Sequence, residues 1–129
     1  MPGACALLAA LRRAGMRIGV VTNNLVAEQT QKLSACGLAV HIDALVTSEE
    51  VGAAKPDGRI FRHALERLDV QPDEAVMVGD AWATDIAGAL AAGIRPVWFN
   101  WRKTPTPDAS VLELASLEPL DAAVQVILA

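Results

Sequence analysis

"VMVGDAWATDIAGALAAG", residues 76–93, decides the fold. Three apolar residues, Val76, Met77 and Val78, run into Gly79 and Asp80. Asp85 follows, and an alanine-rich segment closes on Gly93. A short apolar run bounded by a turn signal reads as a buried strand, and the segment after it reads as a helix over 84–93 with Thr84 as its N-cap. Glycine before Asp80 lets the backbone turn sharply and a ligand come close. A carboxylate at the mouth of a buried strand needs compensation, and a hard cation such as Mg2+ is its natural partner. Asp85 has two open readings. It is either a helix-start residue favoured by the helix dipole, or a second carboxylate that orients the first or the waters of a metal.

The same strand-then-helix unit recurs on both sides of this stretch. "ACALLAALRRAG" (4–15) has helical spacing and a glycine stop. "RIGVVTN" (17–23) is a β-branched run of the kind buried on both faces. "LVAEQTQKLSACG" (25–37) reads as a helix, and "IDALVTS" (42–48) as a second strand. In "GRIFRHALERLD" (58–69), Ile60, Phe61, Ala64, Leu65 and Leu68 form one stripe of an amphipathic helix, with Asp57 as its N-cap. "EAVMVGD" (74–80) and "RPVWFN" (95–100) are the third and fourth strands. Pro105 and Pro107 make 101–108 a loop, and the tail from 111 holds a short strand-like piece and a closing helix. Strict alternation implies an α/β fold, a doubly wound Rossmann-like parallel sheet with helices on both faces. Residues 1–129 are expected to form one domain.

Composition limits the function classes. The chain has 129 residues, 53% hydrophobic and 20% charged, enough to bury a core. A net charge of −4 without a Lys/Arg cluster argues against nucleic acid as a partner. The first apolar stretch is too short to span a membrane and has its arginines on the wrong side for a secretory signal. Cys5 and Cys36 show no metal or redox spacing and read as buried thiols in a reducing compartment, which makes the cytoplasm the default location.

Parallel sheets place their chemistry at the carboxyl ends of the strands. Thr22 sits at such a tip, where its hydroxyl and neighbouring amides can meet an anion; taken alone, it reads better as a turn or capping residue. Lys55 precedes Pro56, which excludes helix there and holds the side chain on a loop, where an ammonium can neutralise a phosphate. His41 and His63 have no partner at catalytic or metal spacing. Trp98 and Phe99 read as core; Trp82, near Asp80, reads as a packing residue ahead of a lining of a substrate site; Trp101, Arg102 and Lys103 read as a solvated loop ahead of a contact with an anionic substrate.

The order of these signals is more specific than any one of them. "VVTNN", "KPDGRIF" and "VGDAWATD" look like the second, third and fourth motifs of the haloacid dehalogenase-like (HAD) hydrolase superfamily, and the chain most resembles its phosphatase and nucleotidase members. The resemblance implies that Thr22 hydrogen-bonds the transferring phosphoryl group and that Asn23 sits beside the phosphate pocket. It further implies that Lys55 neutralises the phosphate, Asp80 holds Mg2+ and Asp85 supports that metal. The reaction implied is Mg2+-dependent hydrolysis of a small phosphorylated metabolite. Dehalogenases of the superfamily need no Mg2+, so Asp80 favours a phosphatase.

The family's first motif, an Asp-x-Asp whose first member is the nucleophile, occurs nowhere in this sequence. The chain therefore resembles the C-terminal portion of such an enzyme, without nucleophile strand or cap, and is expected to be inactive alone. In the family the missing strand is central, between those carrying Thr22 and Asp80. Leaving its place open costs several kcal/mol in unpaired backbone. The expectation is that the two flanking strands pair directly, or that another copy of the chain or a separate segment fills the gap. A non-catalytic relic that binds metal or anion, or assists assembly, is the alternative. A receiver-type signalling domain fits poorly, because its acidic residues come first in the chain and its Lys-Pro last.

Overall fold

The structure is a computed structural model and describes residues 2–23 and 37–129. The helix expected over 25–37, with Asn24 and Cys36, falls outside the described residues except for Gly37. The described elements are helix α1 (Ala4–Arg13), strand β1 (Gly19–Thr22), strand β2 (Ala44–Thr47), a short helix α2 (Ser48–Val51) and helix α3 (Gly58–Leu68). Strand β3 (Val76–Gly79), helix α4 (Ala87–Ala91), strands β4 (Arg95–Phe99) and β5 (Leu112–Leu114), and helix α5 (Leu120–Leu128) complete them. Every strand pair is parallel, as the alternation requires.

Both faces are covered. Leu7 and Leu11 of α1, and Ala123 and Ile127 of α5, pack with Val97, Phe99 and Leu114 on one side. Ile60, Phe61, Ala64 and Leu65 of α3 pack with Val46, Ala89 and Ile94 on the other. The period-2 alternation of a strand is visible in β3: Val76 and Val78 join the α1–α5 side, and Met77 joins the α3 side. Burying an isoleucine or phenylalanine fully is worth about 1.5–3 kcal/mol, so Ile60 and Phe61 make α3 a main anchor of the fold. Asp57 caps α3 as expected, its Oδ1 accepting from the Arg59 amide at 2.9 Å.

Two local expectations are corrected. Thr84 is not a helix N-cap. Trp82–Ile86 forms a single π-turn that runs straight into α4, and Thr84 lies inside it. Asp85 supplies the polar closure instead: its amide donates to the Ala81 carbonyl at 2.8 Å, and its carboxylate accepts from the Ala81 amide at 3.2 Å. Cys5 is exposed rather than buried, because α1 turns Leu7 and Leu11 inward and leaves Cys5 on its outer face.

The strands form two sheets, β1–β2 and β3–β4–β5, rather than one. β1 and β3 do not pair with each other. Between them lies a cavity of about 590 Å³, lined by Gly19–Val21 and Val76–Val78 on its edges. Leu11 and Ile127 line it from one side, and Phe61 and Leu65 from the other. Burial follows this gap. All four residues of β1 and of β3 are half-buried, while β2 and β4 are largely buried. Strands beside the middle of a sheet are ordinarily its most buried, so the inversion marks an open position for one strand.

Candidate active site

The site grows from the tips of β1 and β3. Asn23, the residue after β1, holds the loop before α3 with both ends of its amide. Its Oδ1 accepts from the Lys55 amide at 2.7 Å, and its Nδ2 donates to the Lys55 carbonyl at 3.2 Å. This pair fixes the backbone of Lys55, thirty-two residues away in sequence. The Lys55 side chain then reaches Asp85, with Nζ 2.6 Å from Oδ1. The pair is nearly dry, with side-chain exposures of 12% for Lys55 and 7% for Asp85. A buried ammonium and carboxylate are tolerable only when each is matched, and here they match each other.

Asp85 in turn fixes the end of β3. Its second oxygen, Oδ2, accepts from the Ala81 amide. A Cβ placed on Gly79 would stand 2.4 Å from that oxygen, so only glycine fits beside Asp85. Gly88 plays a similar part on the next turn: a Cβ there would meet the Phe61 ring at 2.5 Å and the Pro56 Cα at 3.2 Å. The two glycines let the helical segment after β3 close on the Lys55 loop.

Asp80 is exposed at the same end. Its backbone carbonyl accepts from the Trp98 indole at 3.3 Å, and its carboxylate Oδ2 accepts from the Trp101 indole at 3.2 Å. Arg102 stands 3.9 Å from that oxygen and stacks on the Trp101 ring, 4.0 Å from its centroid. Trp82 packs edge-on against Trp98, with centroids 4.9 Å apart, the packing role expected for it. All three tryptophans of the chain thus gather around Asp80.

An unbroken chain of contacts runs from Asn23 through Lys55 and Asp85 to Gly79 and Ala81, which flank Asp80. Thr22 adjoins Asn23 at the tip of β1. The residues expected to carry chemistry therefore lie at one end of the molecule. This end of the molecule carries the Lys55 ammonium, the Thr22 residue and the Asp80 carboxylate. As a Mg2+ site, Asp80 is an exposed oxygen donor at a strand tip, which suits a hard cation that keeps several waters. No cluster of three or more His, Cys, Asp or Glu side chains fit to hold a metal occurs among the described residues. Asp80 thus offers one position of such a site, with waters and a bound phosphate for others. Asp85 has both oxygens engaged within the protein. Trp101 and Arg102, read from sequence as a solvated loop, turn out to touch Asp80. Their aromatic-cationic pairing directly after a strand end is the one sequence signal that could have marked them.

The sequence agrees with a known lineage. Residues 1–93 match the sequence model of the haloacid dehalogenase-like hydrolases. The chain belongs to that family. It is 44% identical over 110 residues to the phosphoserine phosphatase of Thermus thermophilus, covering 84% of this chain and 44% of that protein. Its fold matches the HAD phosphatase from Thermococcus onnurineus with a TM-score of 0.89 and 35% identity, over 96% of this chain and 57% of that one. It also matches the HAD-hydrolase YfnB from Bacillus subtilis, a structure bound to magnesium, with a TM-score of 0.85 and 26% identity, over 95% and 54% of the two chains. The chain spans about half the length of the curated relatives it matches.

Proposed function

We propose that this chain carries the phosphate- and cation-handling half of a Mg2+-dependent phosphomonoester hydrolase acting on a small phosphorylated metabolite. The carrying observation is the buried Lys55–Asp85 pair, clamped by Asn23 at the strand tip that also bears Thr22 and opening beside Asp80. The phosphatases among its relatives support the reaction class, and the magnesium in YfnB supports the cation.

In this reading Thr22 donates its hydroxyl to a phosphoryl oxygen, and Lys55 offsets the charge that develops there. Asp85 keeps the Lys55 ammonium aimed, and Asn23 holds the backbone that carries it. Asp85 thereby acts through Lys55, beside the support of the metal that the family resemblance implies for it. Asp80 holds Mg2+, which when bound polarises the phosphoryl oxygens and neutralises their charge. Phosphoryl transfer asks a protein mainly for such positioning and charge stabilisation.

In this reading the nucleophile comes from a segment outside this sequence, because no Asp-x-Asp is present. The gap between β1 and β3 supports a position for that segment. An apolar strand entering there would pair with both edges and end at the tips that bear Thr22 and Asp80. Assays with p-nitrophenyl phosphate and Mg2+ test this: the chain alone should show no turnover, and turnover should appear when a strand-bearing segment of the family is joined upstream. Mg2+-dependent turnover by the chain alone would refute the incomplete-site reading. The missing Asp-x-Asp also favours a second reading, a non-catalytic relic. Mg2+ binding without turnover after the segment is restored would establish it.

A further inference from the structure

The loop after β4 is built more firmly than a solvated connection requires. Asn100, only 7% exposed, closes it. The Asn100 Oδ1 accepts from the Thr104 amide at 3.0 Å and its hydroxyl at 3.2 Å. The Asn100 Nδ2 donates to the Thr104 carbonyl at 2.7 Å and to Glu113 Oε2 at 2.9 Å. Lys103 turns the chain with φ 55°, a left-handed conformation rare outside glycine. The loop so closed carries two residues to Asp80: Trp101, whose indole N–H donates to Oδ2, and Arg102, whose guanidinium faces the same oxygen.

We propose that Trp101 is a positioning residue for Asp80, and that Arg102 is a resident counter-cation which a divalent ion must displace. This rests on the reading of Asp80 as the cation-holding carboxylate. The indole is a neutral donor, so it fixes the carboxylate rotamer without spending its charge. Groups that orient a ligating carboxylate raise metal affinity markedly when present. Arg102 acts in the opposite sense. A guanidinium beside the carboxylate stabilises it in the absence of metal and repels an arriving Mg2+. Its stacking on Trp101 gives it a second resting place once displaced. Together they make a site in which one residue aims the carboxylate and its neighbour sets how strongly a cation must bind.

The test follows the three indole N–H signals in 1H–15N spectra of the whole chain, with Mg2+ titrated at constant ionic strength. Without metal, D80N should move the Trp101 signal and leave Trp82 unmoved. Mg2+ should move the Trp101 signal saturably in the wild type and not in D80N. Because a second-sphere group is worth roughly tenfold in metal affinity, W101F should weaken Mg2+ by about that factor, read from the Asp80 backbone amide. An exposed ion pair is worth up to about fivefold, so R102Q should tighten Mg2+ by about two- to fivefold. Mg2+ binding abolished by D80N but unchanged in W101F and R102Q would overturn this inference and leave the Asp80 reading intact. Mg2+ binding that survives D80N, or no binding at all, would overturn both.

Discussion

Lys55 and Asp85 are joined at 2.6 Å in a nearly dry setting, thirty residues apart in sequence. Removing one partner of such a pair strands the other, which typically costs about 3–5 kcal/mol, whereas removing both costs much less. K55M and D85N should therefore each lower the stability in urea by several kcal/mol, and the double variant should recover much of the loss. Additive losses would show that the two do not depend on each other. Asn23 acts one step further out. N23A should cost about 1–2 kcal/mol through its two hydrogen bonds to Lys55, measured in the same way. The residues themselves could be read in the sequence, because their order along the chain is that of the family. Their pairing could not. Spacing offered Asp85 a helix start or a metal, and its actual partner lies on a different loop. Trp101 and Arg102 are exposed, as their reading as a solvated loop expected, but their contact with Asp80 was not legible from spacing.

At the scale of elements, α3 and the segment after β3 meet through contacts that exclude side chains. G88A drives a Cβ into the Phe61 ring and towards the Pro56 backbone, and overpacking of this kind costs about 1–3 kcal/mol. The expected outcome is a lower urea midpoint together with a displaced Lys55 amide signal; a stable variant with that signal unchanged would refute the close packing. Two exposed carboxylates at element termini contribute to the acid limb. The Arg59 guanidinium beside Asp57 holds that carboxyl down at about 2, and Arg12, with the Ile18 amide, lowers Asp43. A depressed folded value means stability that is complete above the unfolded carboxylate value of about 3.9 and is lost as pH falls below it. Stability should hold near pH 5 and decline between about pH 4 and 2, and R59A should weaken that dependence. A decline already complete at pH 5 would contradict it. The strands, α1 and α3 were legible from periodicity to within about two residues, and Asp57 from its place before an apolar stripe. The π-turn at Trp82–Ile86 was not, because the contact that forms it, Asp85 with Ala81 and Lys55, is partly tertiary.

At the scale of the whole molecule, the dominant feature among the described residues is the gap between β1 and β3. The missing motif predicted the gap from sequence alone. The way it is met was not legible, since direct pairing of the flanking strands was equally open. The structure leaves them apart over an apolar cavity of about 590 Å³. Closing it would require α1 and α5 on one face, and α3 on the other, to abandon their packing against β4 and β2. The amides of β1 and β3 should therefore exchange hydrogen markedly faster than those of β2 and β4, and adding the upstream strand should slow them. Equal protection across all four strands would show that the slot is already filled. The central claim is that Thr22, Lys55 and Asp80 face one spot fit for a phosphate and its cation. A crystal structure of the chain with Mg2+ and tungstate, a phosphate mimic with a strong anomalous signal, tests it most directly. The anion should lie within hydrogen-bond distance of Thr22 and Lys55, with Mg2+ on Asp80. Tungstate found only on surface arginines, with those three side chains turned to different sides, would contradict it.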